Sequence, residues 1–216
     1  MKRLAAASLL IAGCTSHAPF LSRDVATRDI SITVAWTDGG IRATATGPGG
    51  AITFEDGERM YLQRGPRDIA LARDGDAWRA DLGAESGVFV FALDRAWDTS
   101  ARASFEVPAP FSVTTLPAVR ARDPVPIAWT PSSSGGTVTI GVEGACVAPF
   151  SRTLATDTGA YTINPGELQS KPGAAPCDVT VSVTRALVGA REVTPSDLRF
   201  AYAAWRAART TMGWTP

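Results

Sequence analysis

One histidine, His17, and three cysteines, Cys14, Cys146 and Cys177, are all the chain offers for imidazole or thiol chemistry. His17 lies three residues from Cys14, ahead of any patterned segment. Ser-His-Asp catalysis, Cys-His catalysis and a histidine-ligated zinc site are therefore excluded from a folded body. Gly83-Ala-Glu-Ser-Gly87 has the wrong spacing for a serine nucleophile, and Gly47-Pro-Gly-Gly50 lacks the length and the Lys of a phosphate loop, so both read as turns. Glu55-Asp-Gly-Glu58 and Asp74-Gly-Asp76 carry the carboxylates a Ca²⁺ site needs. Asp-Gly is also the dipeptide of tight turns, and turns are the reading adopted for both. Nothing sets two carboxylates across a cleft, as carboxylate-only glycoside hydrolysis requires. The residue inventory predicts a non-enzymatic protein with no cofactor and no metal.

Aromatic side chains are the other route to function. Trp97 lies in Asp94-Arg-Ala-Trp-Asp98, where the chain turns between two strands; a ring folded back over a sheet edge is one reading, and an exposed loop Trp with polar flanks, suited to sugar stacking or a protein hot spot, is the other. Trp97 and Trp78 are the candidate ligand contacts, whereas Trp36 and Trp129 fall in phase with inward apolar positions and are core.

The chain begins Met1-Lys-Arg-Leu-Ala-Ala-Ala-Ser-Leu-Leu-Ile-Ala-Gly-Cys14. Two positive charges precede a short uncharged run and small residues, the layout of a cleaved export signal, and the run is too short to span a bilayer. Ile11-Ala12-Gly13-Cys14 resembles the bacterial lipobox. That resemblance implies diacylation of the Cys14 thiol, cleavage before it, and acylation (palmitate or a similar chain) of the new amino terminus. Thr15 and Ser16, with no Asp, resemble the pattern of lipoproteins sent to the outer membrane of Gram-negative bacteria. In such an oxidising compartment Cys146 and Cys177 are expected to form a disulfide.

Removing thirteen residues from 216 leaves 203, and losing Lys2 and Arg3 takes 21 basic residues to 19 against 21 acidic. A mature chain of net charge about −2 has no electrostatic footprint for nucleic acid. Its length suits two domains of about 100 residues.

The elements repeat at period two. Ile30, Ile32, Val34 and Trp36 alternate with Ser31, Thr33 and Ala35, Asp38-Gly39-Gly40 turns, and Ile41, Ala43 and Ala45 return. Short runs follow near 59–63, 68–73, 77–82, 88–93 and 102–107, and Val88–Leu93, apolar on both faces, reads as a central strand. Pro108-Ala-Pro110 marks a boundary. Beyond it, Ile127-Ala-Trp129 matches Val34-Ala-Trp36, and Val179–Thr184 with Arg185-Ala186 matches Val88–Leu93 with Arg95-Ala96, a weak tandem repeat. Thr194-Pro-Ser-Asp197 is a helix start, with Leu198, Tyr202 and Trp205 on one helical face, and predicts a short helix over 197–204 before a last strand over 206–212.

The pattern resembles tandem immunoglobulin-like or fibronectin-type-III-like β-sandwiches. The expected plan is a signal peptide at 1–13, a lipidated tether at 14–28, one sandwich at 29–108 and a second at 111–216. The expected role is a lipid-anchored envelope protein that binds or spaces another envelope component, protein or glycan. The alternative is a carbohydrate-binding surface module.

Overall fold

The computed structural model describes residues 20–37, 40–132 and 135–216. The expected signal peptide at 1–13, Cys14, His17 and the expected Asp38-Gly39 turn lie outside the described residues. The first half forms β1 (Phe20–Leu21), β2 (Ser31–Thr37), β3 (Gly40–Gly47), β4 (Gly50–Thr53), β5 (Arg59–Arg64), β6 (Arg67–Ala70), β7 (Ala72–Asp74), β8 (Ala77–Asp81), β9 (Gly87–Asp94) and β10 (Ala101–Val107). The second half forms β11 (Ser112–Val113), β12 (Val119–Arg120), β13 (Val125–Thr130), β14 (Thr137–Gly144), β15 (Phe150–Leu154), β16 (Ala160–Ile163), β17 (Cys177–Val188), β18 (Glu192–Thr194) and β19 (Arg199–Thr215). The fold is all-β, with two short 3-10 turns at Ser22–Asp24 and Thr27–Asp29. Among the described residues no helix is long and apolar enough to cross a membrane.

Period-two burial produces two cores. In β2 the buried residues are Ile32, Val34 and Trp36, and in β14 they are Val138, Ile140 and Val142. Each alternating face is covered by a second sheet, so each half closes as a sandwich around its own cluster. In the first sandwich β2, β3 and β8 pair in one sheet, and β10, β9, β5 and β6 in the other. In the second, β11, β13 and β16 oppose β19, β17, β14 and β15. The strand order is the same in both: first, second and fifth strands facing seventh, sixth, third and fourth. This is the immunoglobulin-like and fibronectin-like arrangement. As expected, β9 is central, between β10 and β5.

The repeat is correct in one register and wrong in the other. β9 and β17 are both sixth strands, so Arg95 and Arg185 correspond. Trp36 lies on a first strand and Trp129 on a second. β2 and β3 form an antiparallel hairpin, while β13 and β14 lie in opposite sheets, so the Trp-to-Trp match is a coincidence of local composition.

The expected helix over 197–204 is a strand. β19 runs 17 residues, with β17 antiparallel on one side over 203–214 and β2 parallel on the other over 199–204. Paired edges on both sides override the helix preference of an alanine-rich run. Tyr202 is therefore buried and Trp205 exposed, not on one face together. Residues 192–204, allocated by sequence to the second sandwich, complete the first. β18 pairs with β10, β19 pairs with β2, and Leu198, Tyr202 and Ala204 enter the first core. One sheet thus crosses from one sandwich to the other without a break. At the usual strand rise β19 alone spans about 55 Å.

The expected tether at 14–28 is also shorter than its sequence suggests. From Phe20 onward the chain is docked, with β1 parallel to β4 and the two 3-10 turns seated against the first sandwich. Cys146 and Cys177 are bonded, with Cα atoms 5.9 Å apart, where the chain leaves β14 and begins β17.

Candidate functional site

The site begins with Arg95, which ends the β9 run and turns inward. Its side chain and that of Glu58 are fully buried and paired, Arg95 Nε donating to Glu58 Oε1 at 2.7 Å. Charges are stable in such a place only when every donor is used. Arg95 Nη2 donates to the carbonyls of Ser22 (2.7 Å) and Val25 (3.0 Å), and Nη1 to Thr27 Oγ1 (3.1 Å). Glu58 accepts from the Glu55 amide at 3.0 Å and from Ser22 Oγ. Burial opposes ionisation of Glu58, but the Ser22, Glu55 and Arg95 donors outweigh it and hold the carboxyl below its ordinary range. One guanidinium thus fastens residues 22–27 to the loop ends of the first sandwich.

The loop after Arg95 is built on the same segment. Asp98 accepts from the Thr27 amide (2.6 Å) and the Thr99 amide (2.7 Å), and these backbone donors depress its pKa. Thr27 Oγ1 donates to the Thr99 carbonyl at 2.7 Å, and the Arg95 amide donates to Ser100 Oγ at 3.2 Å. At the base of the loop, Asp94 is flanked by Arg59 (2.9 Å) and Arg102 (2.6 Å). Partial burial opposes its ionisation, and the two guanidiniums prevail and lower its pKa. Arg95 is buried and the Asp98 carboxylate is held by the Thr27 and Thr99 amides, while Trp97 between them stands 66% exposed at the tip. Among the described residues nothing hydrogen-bonds to its ring or stacks on it.

Trp78, the second candidate ligand contact, is 7% exposed. It sits in register with Ala43 of β3, with Phe54 edge-on at 5.1 Å and the Arg73 guanidinium 5.8 Å from its ring centroid. Its phase in β8 points it into the core, so Trp78 and Trp97 form no shared stacking platform. Trp36 and Trp129 are core, as expected. The acidic clusters are turns in which Glu58 pairs with Arg95, Glu55 with Arg23, Asp74 with Arg79 and Asp76 with Arg42. Among the described residues no group of three or more His, Cys, Asp or Glu could hold a metal ion. Glu85, in the 83–87 turn, is paired with Arg64 and Arg67.

The second sandwich carries the counterpart of the Arg95 clamp. Arg185 is buried against Asp157, Nη2 to Oδ2 at 2.6 Å, and also donates to the carbonyls of Ala109 (3.2 Å) and Pro131 (2.7 Å) while lying over the Phe111 ring. Asp157 further accepts from Trp129 Nε1 at 2.7 Å. The link between sandwiches and the 155–159 loop are thereby fixed to one side chain. Beside that loop a shallow cleft of about 590 Å³ is lined by Leu154, Thr156, Thr158 and Tyr161. Sequence reasoning matched Arg95 with Arg185 but assigned neither a role. The signal available was an Arg at the same place in two equivalent strands.

No family model matches this sequence, and no curated protein does. Solved structures similar to it include a tetra-tandem repeat in the extending region of a large adhesion protein (12% identity, 85% of this chain, TM-score 0.27). Others are the Yersinia pseudotuberculosis adhesin InvE (10%, 87%, 0.26) and the fibronectin(III)-like modules of Clostridium thermocellum CbhA (11%, 85%, 0.25). The chain spans 49%, 60% and 94% of those three chains respectively. Likeness at this level carries no information about binding or activity.

Proposed function

We propose that this chain is a non-enzymatic lipoprotein of the bacterial cell envelope, held by acyl chains on Cys14. Its two joined sandwiches present the second one, at a fixed distance from the membrane, to another envelope component, protein or glycan. The Thr15-Ser16 pair after the lipid site favours the outer membrane of a Gram-negative cell. Multiple acyl chains meet the requirement for stable anchoring, which one chain does not.

The observation that carries the reading is the Arg95 clamp. With the β1–β4 pair it docks the chain from Phe20 onward, so no more than five residues, 15–19, separate the lipid site from docked chain. A buried ion pair spent on fastening the segment that leads to Cys14 suits a body whose position relative to its anchor matters. The unbroken sheet through β2, β19 and β17 extends that fixed relationship to the second sandwich.

The test is metabolic labelling with an alkyne fatty acid, followed by crosslinking in intact envelopes. Wild type should take up label, the Cys14→Ser form should not, and inhibiting the lipoprotein signal peptidase should accumulate the longer precursor. A discrete adduct that depends on Cys14 would identify the partner. Absence of label from wild-type protein would end the lipoprotein reading.

A further inference from the structure

We propose that the Trp97 loop is a second, non-covalent membrane contact: the indole lies in the interfacial layer of the bilayer to which Cys14 is tied. This rests on the reading of Cys14 as the lipid site and adds to it the orientation of the body and the residue that sets it.

Three independent features converge on this pole of the molecule. The first is reach. Six Cα-to-Cα steps separate Cys14 from Phe20, so Phe20 lies no further than about 20 Å from the lipid site. Ser22, two residues on, has its carbonyl 2.7 Å from the Arg95 guanidinium, and Trp97 is two residues beyond Arg95. The second is direction. β2 begins beside the loop, since Thr27 contacts Asp98 and Ser31 follows closely. β19 runs parallel to β2 from the Arg199–Ser31 pair to the Ala204–Trp36 pair, then continues eleven residues to Thr215. The second sandwich therefore lies about 35 Å further along, away from Trp97. The third is chemistry. Trp combines a large apolar ring with an N–H donor, the combination enriched at membrane–water interfaces. Here that ring is the most exposed large aromatic among the described residues, held out by a loop whose polar groups are satisfied beneath it.

The charges select the surface. Carboxylates around this pole, among them Asp24, Asp29, Asp98 and Asp197, outnumber its guanidiniums, which include Arg59 and Arg199, by eight to six. An anionic lipid face would repel it, so the occupant is a zwitterionic one.

The test uses the mature protein extracted from membranes. Intact mass reports the acyl chains on Cys14. The protein is then reconstituted into phosphatidylcholine vesicles with and without lipid brominated near the upper end of its chains. The chain has six Trp, and bromolipid should quench about one-sixth of the emission. That component should vanish in Trp97→Phe and persist in Trp205→Phe, with unchanged thermal midpoints. Acylated wild type without quenching, or quenching that survives Trp97→Phe and is lost in Trp205→Phe, overturns this proposal and leaves the lipoprotein reading standing. A chain without acyl groups overturns both.

Discussion

Tyr202 Oη donates a 2.7 Å hydrogen bond to the carbonyl of Glu106, tying a strand of the chain's last twenty residues to the end of β10 in the first sandwich. Its ring stacks on Phe105 with centroids 4.2 Å apart, and Phe200 packs on Phe91 at 5.7 Å. Burial, reinforced by the negative charge of Glu106, pushes the phenol pKa upward, so it stays a donor at any working pH. Tyr202→Ala should therefore destabilise the first sandwich, although the residue lies in the second half of the sequence. The expected cost is about 3–5 kcal/mol, against about 1 kcal/mol for Tyr202→Phe. Urea unfolding of the three proteins measures both values.

Sharing β19 has a thermodynamic consequence. A chain ending after Val107 lacks β18 and β19, which cover β10 and β2 and supply Leu198, Tyr202 and Ala204 to the core. Such a fragment should be unfolded by circular dichroism. The full body should melt in one calorimetric transition, because neither sandwich keeps its sheets when β19 leaves. Two well-separated transitions would contradict this.

Strand positions, both cores and the bonded cysteines were legible because each is written in local alternation or in residue type. The shared strand was not. Ala201 to Ala208 is rich in alanine, and only distant partners, Ser31 to Trp36 on one side and Cys177 to Val188 on the other, make it extended. Arg95 and Arg185 were visible as a repeat, yet a buried guanidinium has the same local sequence as an exposed one. Trp97 and Trp78 show both outcomes. Trp97, in a turn, stands 66% exposed, while Trp78 is 7% exposed because its place in β8 is set by pairing with β3, which its own sequence does not state.

Arg95→Ala should release the N-terminal arm. Glu58 would remain buried without its guanidinium, and losing one partner of a buried pair costs about 3–5 kcal/mol. The loss is local, so hydrogen exchange should rise first at the amides of Val25 and Ile30, whose acceptors are the Ser22 and Thr27 carbonyls. Exchange in β14 and β17 should change little.

The same clamp should be acid-sensitive. Glu58 has a folded pKa below its ordinary value of 4.5, so its contribution is complete above that value and is lost as pH falls through the folded pKa. Protonation of Glu58 removes the anionic acceptor for Arg95. Protection of the Val25 and Ile30 amides, relative to the intrinsic exchange rate at each pH, should therefore fall on acidification below about pH 4.5, the unperturbed value. In Glu58→Gln the two amides should exchange faster at neutral pH and show a flatter response to acid. An arm equally protected at pH 3 and pH 7 in wild type would contradict the assignment.

The disulfide acts on the other sandwich. Cys146 and Cys177 are 31 residues apart and enclose β15, β16 and the turn after them, a segment also held by the pairing of β15 with β14 and of β16 with β13 and by the Val147–Ser170 bridge. Closing a loop of that size limits the unfolded chain by about 3–4 kcal/mol in the chain-entropy account. Reduction, or Cys146→Ser with Cys177→Ser, should lower the urea midpoint correspondingly. The Trp129 and Trp214 environments should survive in the folded state, because Val138, Ile140, Val181 and Val183 pack the second core without the bond. Near-ultraviolet circular dichroism of the reduced protein checks this. A lost tryptophan signal before any unfolding would mean that the bond shapes the native core as well as restraining the unfolded chain.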